Sequence, residues 1–148
     1  MPCLTVSDWI SLGIAILTGV GVSVIWKQTS KLAQQLTLQL FSDYTKRYQD
    51  IILHFPEDVN SRDFVLAGRK DYEQTMRYMR TYEDLCYEEW HLHTRKLIDD
   101  DIWKDWKSGI ETAFSKPAFQ QAWQVIKPDS KFGGTFEQFI EECIRVPL

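Results

Sequence analysis

No lysine or arginine precedes Lys27, and no charged residue of either sign lies between Asp8 and Lys27. A cleavable secretory signal opens on basic residues and closes on small ones, whereas this segment ends in Val-Ile-Trp, so removal as a signal peptide is not expected. Cysteine is scarce. Cys3, Cys86 and Cys143 are too far apart for a metal knuckle and too few for a disulfide framework. They read as reduced thiols, with Cys86 and Cys143 among apolar helical positions where a free Cys packs as a small hydrophobe. Basic residues are not in excess either: 17 Lys and Arg stand against 21 Asp and Glu, a net charge of -4. Phosphate binding rests on concentrated positive charge, so nucleic acid is not an expected partner. There is no Gly-x-Ser-x-Gly elbow, no Gly-rich phosphate loop, no internal repeat and no low-complexity tract.

What the chain does hold is one long apolar run, WISLGIAILTGVGVSVIW, residues 9–26, with a tryptophan at each end. A membrane helix needs about 20 mainly apolar residues, range 17 to 25, so the run predicts a transmembrane helix over 9–26, in preference to a soluble core helix. Trp9 and Trp26 stand at the interfacial positions. All the basic residues follow the run, beginning with Lys27, Lys31, Lys46 and Arg47. The positive-inside rule then puts residues 1–8 outside as a short extracytoplasmic tail and residues 27–148 in the cytoplasm, giving a single-pass, N-out anchor. Within the run, Ser11, Ala15, Gly19 and Ser23 recur every four residues and form a small-residue stripe, the surface that lets two membrane helices approach closely. Packing of the anchor against a second copy or another membrane partner is the expectation at those four positions.

At 148 residues, 44% hydrophobic and 14% aromatic, the remainder is large and apolar enough to fold as one domain. Leu32, Leu36, Leu40, Tyr44, Tyr48, Ile51 and Phe55 keep helical spacing up to Pro56 and predict a long juxtamembrane helix over 27–55. PEDVNSRD, residues 56–63, reads as a loop. A helix over roughly 63–96, interrupted near Gly68, carries Tyr72, Met76, Met79, Tyr82, Leu85, Cys86 and Trp90 on its apolar face. Asp99 is a candidate N-cap for a helix holding Trp103, Trp106, Ile110 and Phe114, with the two tryptophans assigned to the core. Pro117 opens the next helix, and Thr135 with Gln138 sit in capping-box positions for the last. The fold class is therefore all-α: one N-terminal transmembrane helix, a long helix, and a compact bundle of about four to five helices over 63–148.

Few residues suggest chemistry. Glu88 and His91 form a Glu-x-x-His pair, a unit that di-iron bundles use twice, but a second copy is missing because Ile51 stands where His54 would need its carboxylate. His91 and His93 point about 200° apart around a helix, at 100° per residue. Neither a metal nor a cofactor is expected, and no catalytic residue is assigned. Glu83 sits at the edge of the apolar face, where a carboxylate wants an Arg partner, with Arg80 and Arg95 as candidates. A pocket formed by Glu83, Glu88, His91 and Arg95 is the alternative reading. The three adjacent acids Asp99, Asp100 and Asp101 lack the spacing and central glycine of a calcium loop and read as helix-start residues.

The order of signals in YEDLCYEEWHLHTRKLIDDDIWKDWKSGIETAFSKPAFQQAWQVIK resembles small single-span bacterial membrane proteins of unknown function, similar to the domain-of-unknown-function group numbered 4760. The likeness covers about residues 30–145. It implies a helical architecture at a bacterial inner membrane and no established active site. The functional expectation is a membrane-anchored helical interaction or scaffold protein, more simply non-enzymatic, with the lipid bilayer and either a protein partner or a second copy as its contacts. Two alternatives are a small-ligand sensor or enzyme built on the four residues named above, and a stress or phage-defence accessory protein.

Overall fold

The computed structural model describes residues 6–145, apart from the side chains of residues 6, 8–10 and 12. Most of the predicted tail 1–8, including Cys3, falls outside the described residues. Five helices follow one another: α1 (Val6–Ile52), α2 (Tyr72–Thr94), α3 (Asp100–Phe114), α4 (Pro117–Ile126) and α5 (Gly134–Arg145). Short 3-10 turns occupy Glu57–Asn60 and Lys127–Asp129. Among the described residues there is no strand, so the all-α class holds.

The chain separates into two units, one ending at Ser42 and one beginning at Asp43. The first is helix alone. Ile14, Leu17, Val20, Ile25 and Trp26 each keep more than half of their surface exposed. The hydroxyls of Thr18 and Ser23 donate to the carbonyls of Ile14 and Gly19, both at 2.8 Å, which satisfies these polar groups within the helix. Among the described residues no helix is long and apolar enough to cross a membrane. The finer expectation of a span over 9–26 is thus not shown. Trp9, Ile10 and Leu12 belong to the apolar run but have side chains outside the description, and the part from Gly13 onward soon meets Lys27.

The second unit holds the core. Met79, Leu85 and Cys86 of α2, Ile110 and Phe114 of α3, Ala122 and Trp123 of α4, and Phe136 and Ile140 of α5 are almost fully buried. Their positions follow from helical periodicity, which brings residues three and four apart to one face. Aromatic rings dominate the centre: Trp123 meets Phe114 edge-on at 6.0 Å and stacks on Phe132 at 5.9 Å. Offset and edge-on arrangements of this kind match the ring quadrupole. The Trp123 indole N–H is buried without a hydrogen-bond partner.

Several boundaries differ from expectation. The helix placed at 63–96 begins only at Tyr72. Before it, Phe64 and Leu66 are buried while Val65 is exposed, an alternation of period two that belongs to extended backbone. The Gln121 amide of α4 clamps that segment, accepting from the Leu66 N–H and donating to the Phe64 carbonyl, each at 2.8 Å. Gly68 then turns the chain at φ +77. Arg69 holds the turn by bidentate pairs to Asp58 and Asp71. That engagement occupies the Asp71 carboxylate, which is why the N-cap residue of α2 gives no side-chain cap. Asp99 does take the N-cap position of α3, through its backbone and without a side-chain bond. Thr135 is no cap, because α5 starts one residue earlier at Gly134, behind Gly133 at φ +87. Trp103 and Trp106 are half-buried, where full core positions were expected: Trp103 packs on the rim of the core and Trp106 stacks on Tyr44 at 4.9 Å.

Candidate functional site

The residues that sequence reasoning singled out lie on α2, and the helix distributes them over different faces. Successive residues rotate by about 100°, so Glu83 shares the core face with Met79 and Cys86, while Glu88, His91 and Arg95 run along another. Glu83 is 1% exposed, and neither carboxyl oxygen has a hydrogen-bond partner. The anticipated ion pair to Arg80 or Arg95 is therefore not made. Both arginines are exposed, and burial of a long charged side chain beside Glu83 would cost more than it returned. Burial pushes the Glu83 carboxyl up to about 9 against the weaker opposing pull of Arg80, so it is a neutral acid at pH 7.

Glu88 has a different environment. Arg47 of α1 donates to its two oxygens at 2.6 and 3.1 Å, and the Tyr44 hydroxyl donates at 3.0 Å. The Arg47 contact holds the Glu88 carboxyl below its usual range, and burial together with the bond to Glu88 raises the Tyr44 phenol to about 12. Arg47 also lies over the Tyr44 ring at 5.2 Å. Beside them, Glu89 is 8% exposed, and burial lifts its carboxyl to about 8 while Arg47 opposes the rise. A shallow cavity of ≈ 190 Å³ is lined by Tyr44, Tyr87, Glu88, His91 and Leu92. Thus Glu88 and His91 do meet at one site, with Tyr44 as a neighbour that only the fold supplies. Glu83 is on the core side of the helix, and Arg95 is exposed at its C-terminal end.

Each histidine rests against an aromatic ring. His54 stacks on Tyr78 at 4.3 Å, His93 on Trp103 at 4.5 Å, and His91 is tilted on Tyr87 at 6.0 Å. His93 therefore meets a ring of α3 while His91 rests on a ring of its own helix, in keeping with their angular separation. Among the described residues no group of three or more His, Cys, Asp or Glu side chains is arranged to hold a metal ion. Burial raises the Cys86 thiol well above its ordinary range and the Cys143 thiol to about 11, which keeps both as unreactive thiols near neutral pH. The Glu88 carboxylate, engaged by Arg47 and Tyr44, ties α1 to α2, whereas the neutral Glu83 and the Cys86 and Cys143 thiols lie apart from it in the core.

Glu89, Tyr44 and Arg47 were missed from sequence. Glu89 was legible, since it follows Tyr82 by seven residues and Cys86 by three on the same face. Tyr44 and Arg47 were not, because the pairing of α1 with α2 depends on tertiary packing. No family model, curated protein or solved structure matches the chain.

Proposed function

We propose that the protein is a membrane-anchored, non-enzymatic helical interaction module, with residues 9–26 in the bilayer and the domain from Asp43 onward on the cytoplasmic side. The observation that carries the reading is the uncharged run from Trp9 to Trp26, whose apolar side chains from Ile14 to Trp26 are exposed and need a covering medium. Such a surface is costly in water and favourable in hydrocarbon, where Thr18 and Ser23 bring their own backbone acceptors. The orientation rests on the positive charge confined to the C-terminal side, and the bacterial inner-membrane setting on the sequence order that resembles the group numbered 4760. Within the anchor, the stripe Ser11, Ala15, Gly19 and Ser23 supports contact with a second copy, since small side chains at every fourth position let two helix backbones approach closely.

Alkaline carbonate extraction of membranes tests the anchor. The full chain is expected in the pellet and a Leu17→Arg variant in the supernatant, because a charge at mid-span costs about 2.5 to 3.5 kcal/mol. Extraction of the unaltered chain into the supernatant would defeat the proposal. Replacing Gly19 by Ile is expected to weaken crosslinked dimer in membranes, and an undiminished dimer would remove the stripe from the interaction.

A further inference from the structure

A groove of ≈ 780 Å³ opens on the Asp43–Leu148 unit and shares no lining residue with the cavity at Glu88. One wall is aromatic. Phe55, Tyr82 and Phe119 lie in mutual ring contact at 5.2 to 6.3 Å, with Tyr48 at 6.3 Å from Tyr82; Tyr82 and Phe119 are nearly buried and back the wall, and Tyr48 and Phe55 give it its open surface. The α3 side is lined by Ser108, Gly109 and Thr112, all exposed, and a Cβ built on Gly109 meets nothing within 4 Å, so open space lies above that backbone. Lys116 closes the α3 side, half-buried at the N-cap of α4. Among the described residues no carboxylate pairs with it.

We infer that this groove binds a small amphipathic organic anion, its apolar body against the aromatic wall and its single carboxylate at Lys116. The volume lies in the range of small-molecule pockets, about 300 to 1,000 Å³, and the lining combines apolar and aromatic residues with polar groups on two sides, Glu57 and Asn60 on one and Ser108, Thr112 and Lys116 on the other. An anionic head is favoured over a cationic one by the state of the two charged lining residues. Lys116 is half-buried and unpaired, at the positive end of α4, whose N-cap supplies no side-chain acceptor. Glu57 is exposed to solvent and gains little from a partner. Ser108 and Thr112, four residues apart on α3, line the same groove as Lys116 and add hydroxyls to it. An aromatic carboxylate and a medium-chain fatty acid share this chemistry, and the test separates them.

Saturation-transfer NMR on the full chain in zwitterionic phospholipid nanodiscs, with empty nanodiscs subtracted, reads binding of 2-naphthoate, with decanoate as competitor and uncharged 2-naphthamide as control. The expected result is saturable naphthoate binding that weakens at least about tenfold in Gly109→Leu, which fills the groove, and about tenfold in Lys116→Gln, which removes one charge-assisted contact. Naphthamide should bind wild type and Lys116→Gln alike. Displacement by decanoate at lower concentration than by naphthoate itself assigns the site to acyl chains, and the reverse order to aryl acids. Circular dichroism melting verifies that both variants are folded, as expected where the added Leu side chain enters open space. Undiminished naphthoate binding in folded Gly109→Leu overturns the site, and equal binding of naphthoate and naphthamide overturns the anionic specificity.

Discussion

Glu83 sets the pH response of the domain. An acid whose folded value is about 9 against an ordinary 4.5 keeps its proton in the native state after the unfolded chain has lost it. Between those limits the folded state binds more protons than the unfolded one, so stability falls as pH rises, by at most about 1.4 kcal/mol per pH unit for one such group. Glu89, raised to about 8, adds a slope of the same sign over a narrower window. The Arg47 and Glu88 pair acts oppositely, since a depressed carboxyl loses its contribution as pH falls, but both side chains are nearly half exposed and the effect is small. Urea midpoints should therefore decline from pH 5.5 to pH 8 in the native chain. The decline should be clearly shallower in Glu83→Gln, whose side chain cannot ionise. A slope identical in the two proteins would show that Glu83 is hydrated or paired in solution.

At the scale of elements, the junction between α2 and α3 carries the clearest local strain. The α2 helix ends with Lys96 in the left-handed region at φ 56. The N–H of Lys96 donates to the His93 carbonyl at 2.8 Å and that of Leu97 to the Leu92 carbonyl at 2.9 Å, the paired bonds of a left-handed helix terminus. Glycine is the residue such a terminus prefers, because it lacks the Cβ that opposes positive φ. Lys96→Gly should raise stability by about 0.5 to 1 kcal/mol, readable as an increase of a few degrees in Tm. A drop in Tm would mean that the Lys96 side chain contributes more than its backbone conformation costs. The junction also explains why a helix end was readable here and misplaced upstream. After Thr94 the apolar periodicity stops, whereas before Tyr72 the segment 63–71 contains apolar residues that are buried in extended form and held by the Gln121 clamp.

For the whole molecule, every core contact named above lies within residues 43–148, and the helix before them has no core of its own. A fragment of residues 43–148 should therefore unfold cooperatively in water with a Tm within a few degrees of the full chain, by circular dichroism or calorimetry. A fragment that is unfolded, or melts without cooperativity, would show that the first 42 residues support the fold. Residues 6–42 by themselves should have little stable helix in water, since an apolar run with many β-branched residues is a poor helix former when nothing packs against it.

Periodicity sufficed for the all-α class and for the α2 positions that reach the core and the divergence of His91 from His93, and Pro117 marked the start of α4. These are properties of single helices, where spacing alone decides which side chains share a face. Tertiary structure decided which faces meet. It brought Tyr44 and Arg47 to Glu88, left the buried Glu83 without a partner, kept Arg95 at an exposed helix end, and made residues 64–66 an extended stretch pinned by Gln121 ahead of the Gly68 turn. The groove lined by residues from Tyr48 to Phe119 arose in the same way, from separate stretches of chain whose residues each look ordinary in sequence. The physical reason is common to all of them: a carboxylate's charge state, a ring's neighbours and a cavity's walls depend on what other helices bring into contact, and no local spacing encodes that.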